Sequence, residues 1–191
     1  MKQRKLIWQI FPANLLILIL TVASVTWFGR LSLQTFYLEE LEKGLVARAY
    51  LIEPVVSDML KADDIGQFRE YIKNSGRKAN TRITVILPGG RVIADSNENP
   101  DAMELHHNRV EINEAFQGQV GTSVRFSRTL RQEMLYVAIP IRSEVEKDSV
   151  FTATGDVLAV LRMSVTVDAI QFALKKLSSR IILGVICFAL L

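Results

Sequence analysis

The sequence predicts an α+β domain, a five-stranded antiparallel sheet with helices, set between two membrane segments behind a long N-terminal helix. Three observations carry this. Uncharged apolar runs stand at both ends of the 191 residues. Between them the apolar period changes from seven to two and back. The resulting order is helix, two strands, short helix, three strands, helix, and five antiparallel strands with helices on one side make an α+β layer fold.

The first run, Leu6 to Phe28, holds 23 residues without an Asp, Glu, Lys or Arg. As a helix it is roughly 35 Å long, against a hydrocarbon core of ~30 Å. Trp8 and Trp27, the only two tryptophans, stand near its ends, where interfacial aromatic belts belong. Lys2, Arg4 and Lys5 precede it. Setting these three aside leaves 20 basic residues against 20 acidic ones, so the rest of the chain is neutral. The basic flank predicts a cytoplasmic N-terminus in the cell's inner membrane with the following domain outside. It also explains the pI near 9.1 without a basic face, which argues against nucleic-acid binding. A cleaved signal peptide fits less well, because its apolar region is ~7–15 residues and ends in small residues, not Trp27-Phe28.

These features divide the chain into an N-terminus with first transmembrane helix (1–28), a stalk helix (29–60), an α+β domain (61–166), an exit helix (167–180) and the start of a second transmembrane helix (181–191). The last segment, IILGVICFALL, is half of a span, which needs ~20 residues. Cys187 is the only cysteine, so no disulfide forms within the chain.

Along the stalk, Leu31, Leu38, Leu45, Ile52 and Met59 recur every seven residues, with Leu41 and Val55 between them. Such a period predicts helices packed side by side, hence a homodimer seam. A helix lying on its own domain is the alternative, and the two agree if the upper part packs on the domain and the lower part on a partner. Pro54 predicts a kink. Asp64 with Gln67 reads as a capping box opening a helix through Ser75. Ile83 to Leu87 and Arg91 to Asp95 flank Pro88-Gly89-Gly90 as a β-hairpin. Residues 96–108 are polar and loop-like, and Glu111 to Gln117 is a short helix closed by Gly118. Gly121 to Arg128, Met134 to Ile141 and Val157 to Val165 are the remaining strands. Thr166 or Asp168 caps the last helix.

The stretches TRITVILPGGRVIADS (81–96), NPDAMELHHNRVEINEAFQG (99–118), GTSVRFSRT (121–129) and MLYVAIPI (134–141) resemble the extracytoplasmic domain of phosphate-regulon-type sensor histidine kinases. The resemblance covers roughly a third of the chain. It implies a PAS-like or single-Cache fold between two transmembrane helices. It also implies a cytoplasmic relay, dimerisation and kinase region beyond Leu191, with ATP and Mg there and a cognate response regulator as partner. The chain departs from the pattern at His107, a second histidine, and at Val110, where the family often has Pro.

No residue pattern resembles a catalytic centre, so 1–191 is expected to be no enzyme and to carry no cofactor. His106 and His107 raise metal binding or pH sensing, but neighbouring residues point apart and no Cys or carboxylate cluster joins them. No metal is expected. Arg109, Arg125 and Tyr136, with His106, are candidates to line a pocket between the sheet and segment 96–118, where arginines suit an anion. The competing reading, preferred on the sequence, is that Asp95, Ser96 and these arginines hold the loop to the sheet. The expected function is signal input: a small-molecule or protein ligand shifts the domain between two packings and the helices carry the change across the lipid. A methyl-accepting receptor or cyclic-dinucleotide enzyme as output, or a non-catalytic anchored adaptor, are the alternatives.

Overall fold

A computed structural model describes residues 3–62, 64–127, 130–143 and 156–167. The expected second membrane segment (181–191), all but the first residue of the exit helix and the polar stretch 144–155 lie outside the described residues. Residues Glu39–Val167 form one compact unit, and Met1–Leu38 belong to another.

Helix α1 is Gln3–Lys61, and it is assigned as continuous through Pro54, where the sequence predicted a kink. Its apolar part is the one described helix long and apolar enough to cross a membrane, with an 18-residue window of mean hydropathy 2.0. Large side chains there, Phe11, Trp27 and Phe28 among them, are exposed. Farther along, Leu45, Ala49 and Val56 are buried, a spacing that puts them on one face of the helix. Leu45, expected on the dimer seam, is only 1% exposed and belongs to the core of its own domain. This is the packing of the upper stalk on its own domain that the sequence left open, since a seven-residue period marks an apolar stripe but not what covers it. Leu31 is exposed, while Leu38, Leu41, Ile52 and Met59 are half-buried.

Helix α2, Ile65–Ala79, opens with the Asp64 carboxylate accepting from the Gln67 N–H at 3.0 Å. It runs a turn past Ser75 and ends at Asn80, whose left-handed φ of 47° lets its N–H close back on the last carbonyls. The strands are β1 (Arg82–Ile86), β2 (Val92–Asp95), β3 (Gly121–Ser127), β4 (Gln132–Arg142) and β5 (Val157–Thr166). A 3-10 turn at Pro100–Ala102 and a short helix α3, Val110–Phe116, lie between β2 and β3. All pairings are antiparallel, in the order β2-β1-β5-β4-β3. Pro140 fits inside β4 because β3 pairing stops at Gly121↔Ala138, leaving its N–H-less side unpaired.

Register decides what each face carries, since residues paired across strands share a face. One face holds Ile83, Val85, Leu161, Met163, Leu135, Val137 and Ile139, all buried. The α1 side chains of Glu42 and Arg48 reach residues on that side, Thr122 at 3.0 Å and Thr81 at 3.2 Å. The other face is split. At one end Ile86, Ala138 and Val160 pack with Ile112 and Ala115 of α3. At the other end it is polar: Asp95, Thr84 and Arg162 stand in one row, Arg82, Ser164 and Tyr136 in the next. Helices therefore cover both faces rather than the one side expected. The three central strands, β1, β5 and β4, are apolar on both faces at one end, and two covers are needed to bury them.

Candidate functional site

The polar end of the sheet is the floor of a cavity of about 640 Å³. Its walls include Arg82 from β1, Arg162 from β5, Tyr136 from β4 and Arg125 from β3, with His106 and Arg109 from the segment before α3. A small-molecule site of ~300–1,000 Å³ has this scale.

Each arginine is held differently. Arg82 Nε donates to both oxygens of Asp95, at 3.2 and 3.1 Å. The Asp95 Oδ1 atom also accepts from the N–H groups of Asn97 and Glu98, both at 2.9 Å, and Oδ2 from the Thr84 hydroxyl at 2.7 Å. Asp95 thereby turns the chain out of β2 and anchors the loop. Arg162, 3% exposed in the central strand, donates from Nη2 to the Thr84 hydroxyl at 3.2 Å and lies 3.7 Å from Glu111 Oε1 through Nη1. Arg125 donates to the same Oε1 at 2.9 Å. It also sits over the Tyr136 ring, 4.0 Å from its centroid, with Arg162 at 5.2 Å, both within cation–π range. Arg109 has no side-chain partner among the described residues. A connected chain, Asp95–Thr84–Arg162–Glu111–Arg125–Tyr136, thus crosses the sheet.

Glu111 is fully buried in the first turn of α3. Gly121 makes room for it: a Cβ there would collide with the Glu111 carbonyl. His106 is clamped by its backbone, its N–H donating to the Gly90 carbonyl at 2.9 Å and its carbonyl accepting from Arg109 N–H at 3.2 Å. Gly90, at φ 88°, can approach this closely because it has no Cβ. Burial, and then the guanidiniums of Arg162, Arg109, Arg125 and Arg82, push the His106 imidazole down to about 4, so it is neutral at pH 7. Burial brings Arg162 down to about 10, against the opposing pull of Glu111, and it stays cationic. Among the described residues the buried nitrogens His106 Nδ1, Arg125 Nε and Arg162 Nε have no hydrogen-bond partner. No group of three His, Cys, Asp or Glu suited to a metal ion occurs among them either.

Of the residues singled out in the sequence, His106, Arg109, Arg125 and Tyr136 meet in this cavity. Asp95 lies behind the wall and does the anchoring of the competing reading. Ser96 faces elsewhere: its hydroxyl accepts from Ile83 N–H at 3.0 Å, and it lines a separate cleft with Lys73 and Arg77. Arg82, Arg162 and Glu111 were not picked out. The available signal was a lone Arg inside an otherwise apolar strand, VLAVLRMSV, which must find a buried partner.

The fold has solved counterparts. The sensor domain of the Vibrio cholerae histidine kinase DctB superposes with a TM-score of 0.54 at 16% identity, over 74% of this chain and 55% of that one. The sensory domain of the Campylobacter jejuni chemoreceptor Tlp3, solved with isoleucine, gives 0.54 at 13%, over 87% and 64%. The ligand-binding domain of the Pseudomonas aeruginosa amino-acid chemoreceptor PctC, solved with GABA, gives 0.50 at 14%, over 75% and 65%. The chain shares the fold of these three domains. At these identities the likeness shows the fold alone, and the chain spans between half and two thirds of the length of those solved domains. No family model matches the sequence, and no curated protein does.

Proposed function

We propose that this chain is the input module of a membrane signalling protein and that it recognises a small anion in the arginine-lined cavity. One observation carries the reading: four guanidiniums line the cavity, Asp95 and Glu111 are buried behind them, and the lining carboxylates Glu98 and Glu104 are exposed on the loop. Half-buried Arg109, without a side-chain partner among the described residues, and the unpartnered Arg125 Nε offer an entering anion charge-assisted donors. The location fits a sensor, because anion entry would compete with Glu111 for Arg125 and Arg162 and so act on α3.

In this reading the N-terminus is cytoplasmic, α1 crosses the inner membrane and the domain is extracytoplasmic, as the basic flank indicates. The chain works as a homodimer through the lipid-embedded and lower stalk parts of α1, with Leu31 and Leu38 at the seam. It has no catalytic chemistry of its own. Output passes to a cytoplasmic histidine kinase of the phosphate-regulon type, which supplies the ATP and Mg site and addresses a response regulator. A methyl-accepting receptor is an equally good output, since chemoreceptor domains share the fold as closely as the kinase domain does.

The test is thermal unfolding of the full chain in detergent against a panel of small carboxylates and oxyanions, beside Arg109→Ala. Arg109 has no side-chain partner to lose among the described residues, so the variant should fold normally. At least one anion should raise Tm in the parent and lose that effect in Arg109→Ala. A panel without any stabilising anion overturns the reading.

A further inference from the structure

Resting on that anion reading, we infer the ligand's chemical class: a small organic acid that carries no ammonium group, best an α-hydroxy acid. The surface met by a ligand is guanidinium. Arg82, Arg109, Arg125 and Arg162 line the cavity, whereas Asp95 and Glu111, which balance them, do not. Both carboxylates sit behind the arginines. Asp95 is saturated by Arg82, Thr84 and two backbone N–H groups. Glu111, which is not among the lining residues, turns Oε1 to two arginines, and its Oε2 is buried without a hydrogen-bond partner among the described residues.

An amino acid cannot separate its charges. Once its carboxylate is seated on the guanidiniums, the ammonium on the adjacent carbon stands among them too, with no buried carboxylate facing it. Like charges brought together in a partly buried site repel strongly. Glu98 and Glu104 also line the cavity, but both are exposed on the loop, where water screens them. This separates the cavity from those of Tlp3 and PctC, solved with isoleucine and GABA, both of which carry an ammonium.

A hydroxyl in the same place has a partner. His106 is 8% exposed, its backbone is tied on both sides, and its Nδ1 is buried with no hydrogen bond among the described residues. A neutral imidazole protonated on Nε2 accepts a hydrogen bond at Nδ1. An α-hydroxyl beside a carboxylate held by the arginines supplies that donor.

Three probes of one carbon skeleton separate the possibilities: 3-methylbutanoate, 2-hydroxy-3-methylbutanoate and valine differ only by H, OH or NH3+ on the α-carbon. Calorimetric titration into the full chain in detergent at pH 7.5 should rank the hydroxy acid first and valine last, at least about tenfold apart. His106→Ala, or His106→Asn if alanine lowers Tm, should bring the hydroxy acid within about twofold of 3-methylbutanoate. Valine binding as tightly as the hydroxy acid overturns the class while leaving the anion site standing. A hydroxy-acid preference that survives both His106 variants overturns the role of Nδ1. Failure of all three to bind while another anion of the panel raises Tm overturns the organic-acid class, and failure of the whole panel overturns the anion reading beneath it.

Discussion

Arg125 touches Tyr136 and Glu111 at once: its guanidinium carbon lies 4.0 Å from the ring centroid while Nη2 donates to Glu111 Oε1 at 2.9 Å. The ring and the carboxylate come from β4 and α3, so a single side chain on β3 ties helix to sheet. Arg162 repeats the arrangement from the other side at longer range. Glu111 is therefore the hinge of the charge balance, and Tyr136 the surface that orients the cations.

Glu111→Ala leaves the buried Arg162 and the half-buried Arg125 without their carboxylate. Removing one partner of a buried ion pair costs about 3–5 kcal/mol. Urea unfolding of the variant should show a loss of that size, and added anion should recover part of it.

Tyr136→Phe retains the ring under Arg125 and should change stability little. Tyr136→Leu loses the cation–π contact and should cost about 1 kcal/mol more than Phe. Chemical denaturation of the pair isolates the ring from the hydroxyl.

His106 makes stability depend on pH. Its folded value of about 4 lies below the ordinary 6.5, because burial and the surrounding arginines disfavour the cation. The unfolded chain therefore binds the proton more readily. The stabilisation is complete above pH 6.5 and is lost as pH falls towards 4. Water in the cavity reduces the effect to on the order of 2 kcal/mol. Unfolding free energies at pH 7.5 and 4.5 should differ accordingly, and His106→Gln should remove most of that difference.

Gly121→Ala places a methyl group against the Glu111 carbonyl, a backbone atom with no freedom to move aside. Overpacking of this kind costs about 1–3 kcal/mol. Gly89→Ala, where φ is 87° and nothing lies nearby, should cost about 1 kcal/mol from backbone strain alone. The variants should also differ in kind, because only Gly121→Ala shifts α3 and weakens anion binding in calorimetry.

Leu45→Ala removes a buried core side chain and should destabilise the domain by about 2–5 kcal/mol. Leu31→Ala, at an exposed site, should leave domain unfolding unchanged and reduce cysteine crosslinking between copies. Equal effects of the two on crosslinking would contradict separate roles for the two parts of α1.

Strand and helix order was readable because local chemistry set it. Alternation placed Arg125 and Ser127 opposite Val124 and Phe126, and the Pro-Gly-Gly turn fixed the first hairpin. Asp64 marks the start of α2 through its own side chain, whereas the end expected at Ser75 lies a turn later, at Asn80. Less was readable of the site. His106, Arg109, Arg125 and Tyr136 stand out as polar residues in a loop or strand, but their meeting depends on pairings far apart in the chain. Arg82 and Arg162 are 80 residues apart and share a wall because β1 pairs with β5.

Alone, the amino-acid sequence determined the apolar N-terminal run, the basic flank before it, and the period of each segment, since these depend on neighbours within a few residues. Tertiary structure decided that Leu45 faces its own domain, that Glu111 is buried between two arginines, and that Asp95 stands behind the cavity instead of in its wall. Burial and charge pairing belong to contacts between strands and helices, and no local pattern specifies which surfaces will meet.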